Sequence, residues 1–187
     1  MKRKLILASQ SPRRSFLLKQ AGFEFDVHAV NIDEEDYPAD LPVHEVAAYL
    51  AHQKALAARE FIEQDEIIIA SDSVVILGNQ IFGKPTDYHD AVRILRALSG
   101  QMHLVVTGVC LLSKDKEEVF SDVAKVYFDE LSDEEIDYYI KNYEPYDKAG
   151  AYAIQEWVGL CKISKIEGTY PNIMGLPVNL VYKKLAV

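Results

Sequence analysis

The run Ile67-Ile68-Ile69-Ala70-Ser71-Asp72-Ser73-Val74-Val75-Ile76-Leu77 constrains this chain more than any other stretch. Apolar and β-branched residues dominate it, so it reads as a strand over 67–77. Gly78-Asn79 then reads as a hairpin turn into Gln80-Ile81-Phe82. Period-two alternation puts Asp72 on the face of Ile68, Ala70, Val74 and Ile76. An ionised carboxylate there is costly unless it is paired, metal-bound or open to a cleft. Asp72 is therefore either a structural group at a strand bulge or a candidate general base or metal ligand.

The rest of the chain alternates strand and helix signals. Leu5 to Ala8 is a short buried strand, and Ser9-Gln10-Ser11-Pro12 leads into a helix. Ser11 is suited to the N-cap, Pro12 to the first helical position and Gly22 to the stop. Further strands are expected at 23–29, 103–112, 119–128, 149–155 and 160–166. Helices are expected at about 43–61, 87–98, 132–142 and 178–185, and residues 31–41 read as an acidic loop. Ser132-Asp133-Glu134-Glu135 is a capping box. Strand–helix units mixed with hairpins predict an α/β protein, a mixed sheet flanked by helices. No linker separates domains in the 187 residues, a length sufficient for a sizeable core.

Composition narrows the function. The net charge of −9 disfavours broad nucleic-acid binding, although a local basic cluster can still hold a small anion. Cys110 and Cys161 have no metal-ligand spacing, and both are expected as buried small hydrophobes. The apolar stretch after the basic start is too short for a signal or a membrane span. A cytoplasmic protein without membrane or nucleic-acid partners is the expectation.

Arg13 and Arg14 sit in the first turn of the first helix, against the helix dipole. They are either solvated or face an anion held on the exposed amides of that turn. Lys54 shares a helical stripe with Val43, Ala47, Leu50 and Ala57, so it either snorkels to the rim or faces a cleft. Glu34 belongs to an acidic loop that is either a solvated charge run or part of a site. Lys84, between Gly83 and Pro85, follows the hairpin of the Asp72 strand. Gly150 suggests close backbone packing, and Gln155 is a polar amide at the start of a second group of strands.

Together these stretches resemble the Maf family. The matching segments are Leu7-Ala8-Ser9-Gln10-Ser11-Pro12-Arg13-Arg14, the Asp72 strand, Gly83-Lys84-Pro85, Leu98-Ser99-Gly100 and Thr107-Gly108-Val109. They continue with Tyr143-Glu144-Pro145, Asp147-Lys148-Ala149-Gly150-Ala151-Tyr152 and Gly168-Thr169-Tyr170 through Gly175-Leu176-Pro177. Several long motifs in order across nearly the whole chain are a specific signal.

The resemblance implies one domain over residues 1–187, with an elongated mixed sheet and two lobes around a cleft. That shape is similar to the inosine-triphosphate pyrophosphatases, the Ham1-like fold. It implies a divalent-metal-dependent hydrolase that cleaves nucleoside triphosphates to the monophosphate and pyrophosphate. By match of motif, Ser9, Arg13, Arg14, Lys54, Ser73, Lys84 and Gln155 bind substrate. Glu34 and Asp72 hold Mg²⁺ or Mn²⁺, and Asp72 accepts the proton from the attacking water. Arg13, Ser73 and Gln155 match positions associated with substrate choice.

A glutamine at position 155 is similar to the branch acting on dTTP and UTP, whereas a glutamate stands there in the branch acting on methylated guanosine triphosphate. Two points depart from the family pattern: Ser71-Asp72-Ser73 where Ala-Asp-Thr is usual, and Ala153-Ile154-Gln155-Glu156 where Gly-Ile-Gln-Gly is usual. An amide can flip, so a neighbour must lock Gln155, and Trp157 or the Tyr152 region is the candidate. The resemblance also makes a homodimer an expectation. It leaves two competing readings, a nucleotide-binding regulator of septum formation and a nucleotide sensor without turnover. Retention of every catalytic side chain argues against a purely binding module.

Overall fold

The computed structural model describes residues 3–185. Among these, seven strands are hydrogen-bonded in the order β2-β1-β3-β5-β6-β7, with β4 on β3. They are β1 Leu5–Leu7, β2 Phe25–Val27, β3 Ile67–Leu77, β4 Gln80–Phe82, β5 Met102–Leu112, β6 Glu117–Phe128 and β7 Ile163–Glu167. The helices are α1 Pro12–Gln20, α2 Val46–Ala57, α3 Tyr88–Leu98, α4 Asp133–Tyr143, α5 Trp157–Cys161, α6 Tyr170–Met174 and α7 Val178–Leu185. β1 runs parallel to β2 and β3, while β3–β4 and β6–β7 are antiparallel, so the sheet is mixed as expected.

The chain folds as two compact units. The first comprises Met1–Ser73, Thr107–Asp122 and Gly175–Val187. The second comprises Val74–Val106 and Val123–Met174. Each has its own core. In the first, Ile6, Ala8, Ile68, Ala70, Cys110 and Leu112 of the strands pack on Ala51, Ala55 and Ala58. The small residues of α2 let it lie close on the sheet. A Cβ on Gly108 would come within 2.3 Å of the Ala47 backbone, so only glycine fits beneath this helix. In the second unit, Ile94, Leu95 and Leu98 of α3 and Ile136, Tyr139 and Ile140 of α4 pack with Val126 and Phe128.

Local chemistry explains most boundaries. Pro12 opens α1 after Ser11, and the left-handed Gly22 follows its end. The Ser11 side chain does not cap; instead its N–H donates to Ser9 Oγ at 3.2 Å. Asp87 caps α3 by accepting from Asp90 N–H, and Ser132 with Glu135 completes the capping box of α4.

Three expectations are corrected. Residues 149–155 are not a strand: Gly150 and Ala151 take φ of 72° and 57°, which no strand accommodates. Residues 160–166 divide into the end of α5 and β7. Cys161 is exposed at the last position of α5, whereas Cys110 is buried as expected.

Candidate active site

The first unit gathers most of the chemistry. α2 carries Lys54 inward on its apolar stripe, where the residue is only 7 % exposed. It does not snorkel. Its Nζ lies 2.5 Å from Asp72 Oδ1 and 2.7 Å from Glu34 Oε1. Asp72, 6 % exposed on β3, is thus a paired carboxylate rather than a bulge cap. Glu34 reaches the same ammonium from the loop after β2, which distinguishes it from a solvated charge run. One cation serving two anions offsets part of the cost of burying the carboxylate.

Alternation along β3 turns Ser71 and Ser73 the other way. There Arg14 acts as a three-way connector. Its Nε donates to the Gly175 carbonyl at 2.9 Å, Nη1 to Ser9 Oγ at 3.2 Å and Nη2 to Ser73 Oγ at 3.4 Å. Ser71 Oγ also donates to Gly175 O, at 3.0 Å, and Ser73 Oγ lies 2.9 Å from Thr107 Oγ1. Burial draws the Arg14 guanidinium below its usual range, with Asp72 acting in the opposite direction and Arg13 adding to the depression. Arg13 is half-buried beside it on α1. The roles of Thr107 and Gly175 were not assigned from sequence, although both lie in segments that carried the resemblance.

The second unit holds Lys84 and Gln155. Lys84 is exposed just after β4, and the neighbouring Gly83 carbonyl accepts from Gly150 N–H at 3.0 Å. Gly150 packs as tightly as its type suggests: a Cβ there would lie 2.8 Å from Val75 Cγ2. Gln155 sits in the turn before α5. Its Oε1 is buried and has no hydrogen-bond partner among the described residues. Lys148, which sequence reasoning left without a role, is buried and pairs with Asp147 at 2.7 Å and Glu156 at 3.5 Å.

Glu34 and Asp72 offer the hard oxygen donors that Mg²⁺ or Mn²⁺ prefers, and they already converge on one cation, the Lys54 ammonium. The donor set therefore fits such an ion. No group of three or more metal-ligating side chains occurs among the described residues. The remaining ligands would have to be water or substrate oxygens, a common arrangement for Mg²⁺.

A buried lysine between two carboxylates, and an arginine fixed by three contacts in the first turn of α1, are thus set on the mixed sheet of an α/β protein. The family described as Maf-like protein matches residues 4–187, and the chain belongs to it. It is 48% identical over 186 residues to the dTTP/UTP pyrophosphatase of Porphyromonas gingivalis, covering 98% of this chain and 94% of that one. Similar values hold for proteins of the same name from Phocaeicola vulgatus, 48% with 98% and 95% covered, and Flavobacterium psychrophilum, 47% with 96% and 91% covered. Among solved structures, the Ham1 protein of Staphylococcus aureus aligns with a TM-score of 0.44 and 13% identity over 67% of this chain and 72% of that one.

Proposed function

We propose that this protein is a nucleoside triphosphate pyrophosphatase that hydrolyses dTTP and UTP to the monophosphate and pyrophosphate. The observation that carries the reading is the buried Lys54 held between Asp72 and Glu34. The names of relatives near 48% identity support the choice of reaction and nucleotides.

The chain's own groups divide the work. Arg13, Arg14, Lys54 and Lys84 supply positive charge for the triphosphate, with Arg14 oriented by Ser9, Ser73 and Gly175. When Lys54 turns to a phosphate oxygen, Asp72 loses its ammonium partner and can accept a proton from the water attacking the α-phosphorus. A Mg²⁺ or Mn²⁺ ion held by Glu34 and Asp72 would neutralise charge developing on the phosphate oxygens. The buried, unpartnered Oε1 of Gln155 suits the N3–H of thymine or uracil, and its amide nitrogen suits O4. The same reading places the enzyme in the cytoplasm, as a homodimer, acting on free nucleotides.

The test is pyrophosphate release from purified protein with Mg²⁺ or Mn²⁺ across a panel of nucleotides. Turnover of dTTP and UTP supports the reading. Binding without turnover would instead support the regulator or sensor.

A further inference from the structure

The turn that presents Gln155 is held from both ends by one side chain. Tyr139 of α4 is fully buried, and its hydroxyl accepts from Ala153 N–H at 3.0 Å. A backbone N–H can only donate, so the tyrosine proton points elsewhere, and it is donated to Glu156 Oε2. Glu156 is the residue after Gln155, and its other oxygen faces Lys148 Nζ at 3.5 Å. Donation therefore runs from Ala153 through Tyr139 to Glu156, which Lys148 faces as a second donor, and these contacts bracket the glutamine. Burial and the adjacent carboxylate push the Tyr139 hydroxyl up from its ordinary range, so it retains the proton this chain requires.

Other contacts restrict the same turn. Glu156 N–H donates to the Ala153 carbonyl at 3.1 Å, closing the backbone around Ile154 and Gln155. α5 then folds back so closely that a Cβ on Gly159 would fall 1.6 Å from the Ile154 carbonyl oxygen. The two candidates for a lock are otherwise engaged. Trp157 packs edge-on against Tyr138 with centroids 5.4 Å apart, and the Tyr152 hydroxyl lies 2.7 Å from His103 Nε2.

Resting on the reading of Gln155 as the base reader, we propose that Tyr139, Glu156 and Lys148 form a positioning cluster that fixes the Gln155 turn and so sets discrimination between uracil and cytosine. None of the three residues touches the base. They act through the position of Gln155: a turn that cannot shift holds the buried Oε1 where it meets the N3–H of uracil and opposes the N3 acceptor of cytosine.

The experiment compares kcat/KM for UTP and CTP in wild type, Glu156→Ala, Glu156→Gln and Tyr139→Phe, with circular dichroism and thermal melting for each. Glu156→Ala and Tyr139→Phe should reduce the UTP:CTP ratio about fivefold or more, chiefly through KM for UTP. Glu156→Gln keeps an acceptor for Tyr139 and should retain the wild-type ratio. If Tyr139→Phe does not fold, the two Glu156 variants decide alone. Unchanged ratios in folded Glu156→Ala, or a Gln variant as poor as the Ala one, would overturn the cluster. A wild type that does not prefer UTP overturns the base-reader assignment itself, and the cluster with it.

Discussion

Lys54 Nζ sits 2.5 Å from Asp72 Oδ1 and 2.7 Å from Glu34 Oε1, so the proposed base of the reaction is neutralised by the proposed phosphate ligand. Substrate binding and base activation are then one event. In the proposed reaction, a triphosphate that draws the ammonium away would free the carboxylate, which without substrate stays in the ion pair.

Asp72→Asn removes the base while Glu34 still pairs with Lys54. Turnover should fall by at least roughly two orders of magnitude. Circular dichroism should report a folded protein. Near-normal pyrophosphate release in this variant rules out the assigned role.

Lys54→Met should both inactivate and destabilise. It leaves the buried Asp72 carboxylate without its counter-ion, a loss of about 3–5 kcal/mol for a buried pair, lessened here because Glu34 is partly exposed. Mg²⁺ or Mn²⁺ should raise the melting temperature of the variant more than that of wild type, because a divalent ion can replace the missing cation. An equal response in both proteins would separate the carboxylates from metal binding.

Arg14 should tolerate no substitution. Lysine cannot reproduce a fork that reaches Gly175, Ser9 and Ser73 together. Arg14→Lys should lose about 1.5–3 kcal/mol for each charge-assisted bond broken, seen as a lower urea midpoint alongside lower kcat/KM. Arg13→Ala and Lys84→Ala should each lower kcat/KM by roughly 10- to 150-fold, with little change in the midpoint.

His103 predicts a pH dependence of stability. Burial pushes its imidazole down to about 4, from 6.5 in the unfolded chain. The folded state therefore refuses a proton that the unfolded state takes up between those values. The neutral form's advantage is fully present above pH 6.5 and is lost as pH falls towards 4, amounting to about 3 kcal/mol. His103→Gln should flatten the stability curve over that interval. A curve of unchanged slope would show that His103 is not its source.

Gln155→Glu removes the amide donor and adds an acceptor. Wild type should prefer UTP over CTP by at least roughly tenfold, because cytosine reverses the pattern at N3 and C4. The variant should lose that preference. If its ratio equals that of wild type, another residue reads the base.

The sequence was most informative where one force dominates. β3 runs over Ile67–Leu77 and α7 over Val178–Leu185, as expected, because apolar pattern and flanking turn residues agree there. Residues 149–155 misled for a physical reason. Ala149-Gly150-Ala151-Tyr152-Ala153-Ile154 has the apolarity of a strand, but its burial comes from left-handed turns pressed on Val75, a tertiary effect with no periodic signature. The site was legible only as residue types. Lys54 on an apolar stripe was evident, but whether it snorkelled depended on Glu34 and Asp72, which approach from distant segments. Tyr139 had no signal and Glu156 only its departure from the family pattern, since neither hydroxyl direction nor carboxylate reach is written in residue spacing.

Arg14 waits for Gly175, 161 residues later in the chain. During synthesis the guanidinium and the Ser71 hydroxyl lack this carbonyl until residue 175 has emerged. A nascent or truncated chain that stops before residue 175 would hold the arginine, the lysine and both carboxylates, yet lack the acceptor that orients the arginine. On the proposed function, competence to handle triphosphates should therefore appear only once residue 175 has joined the fold.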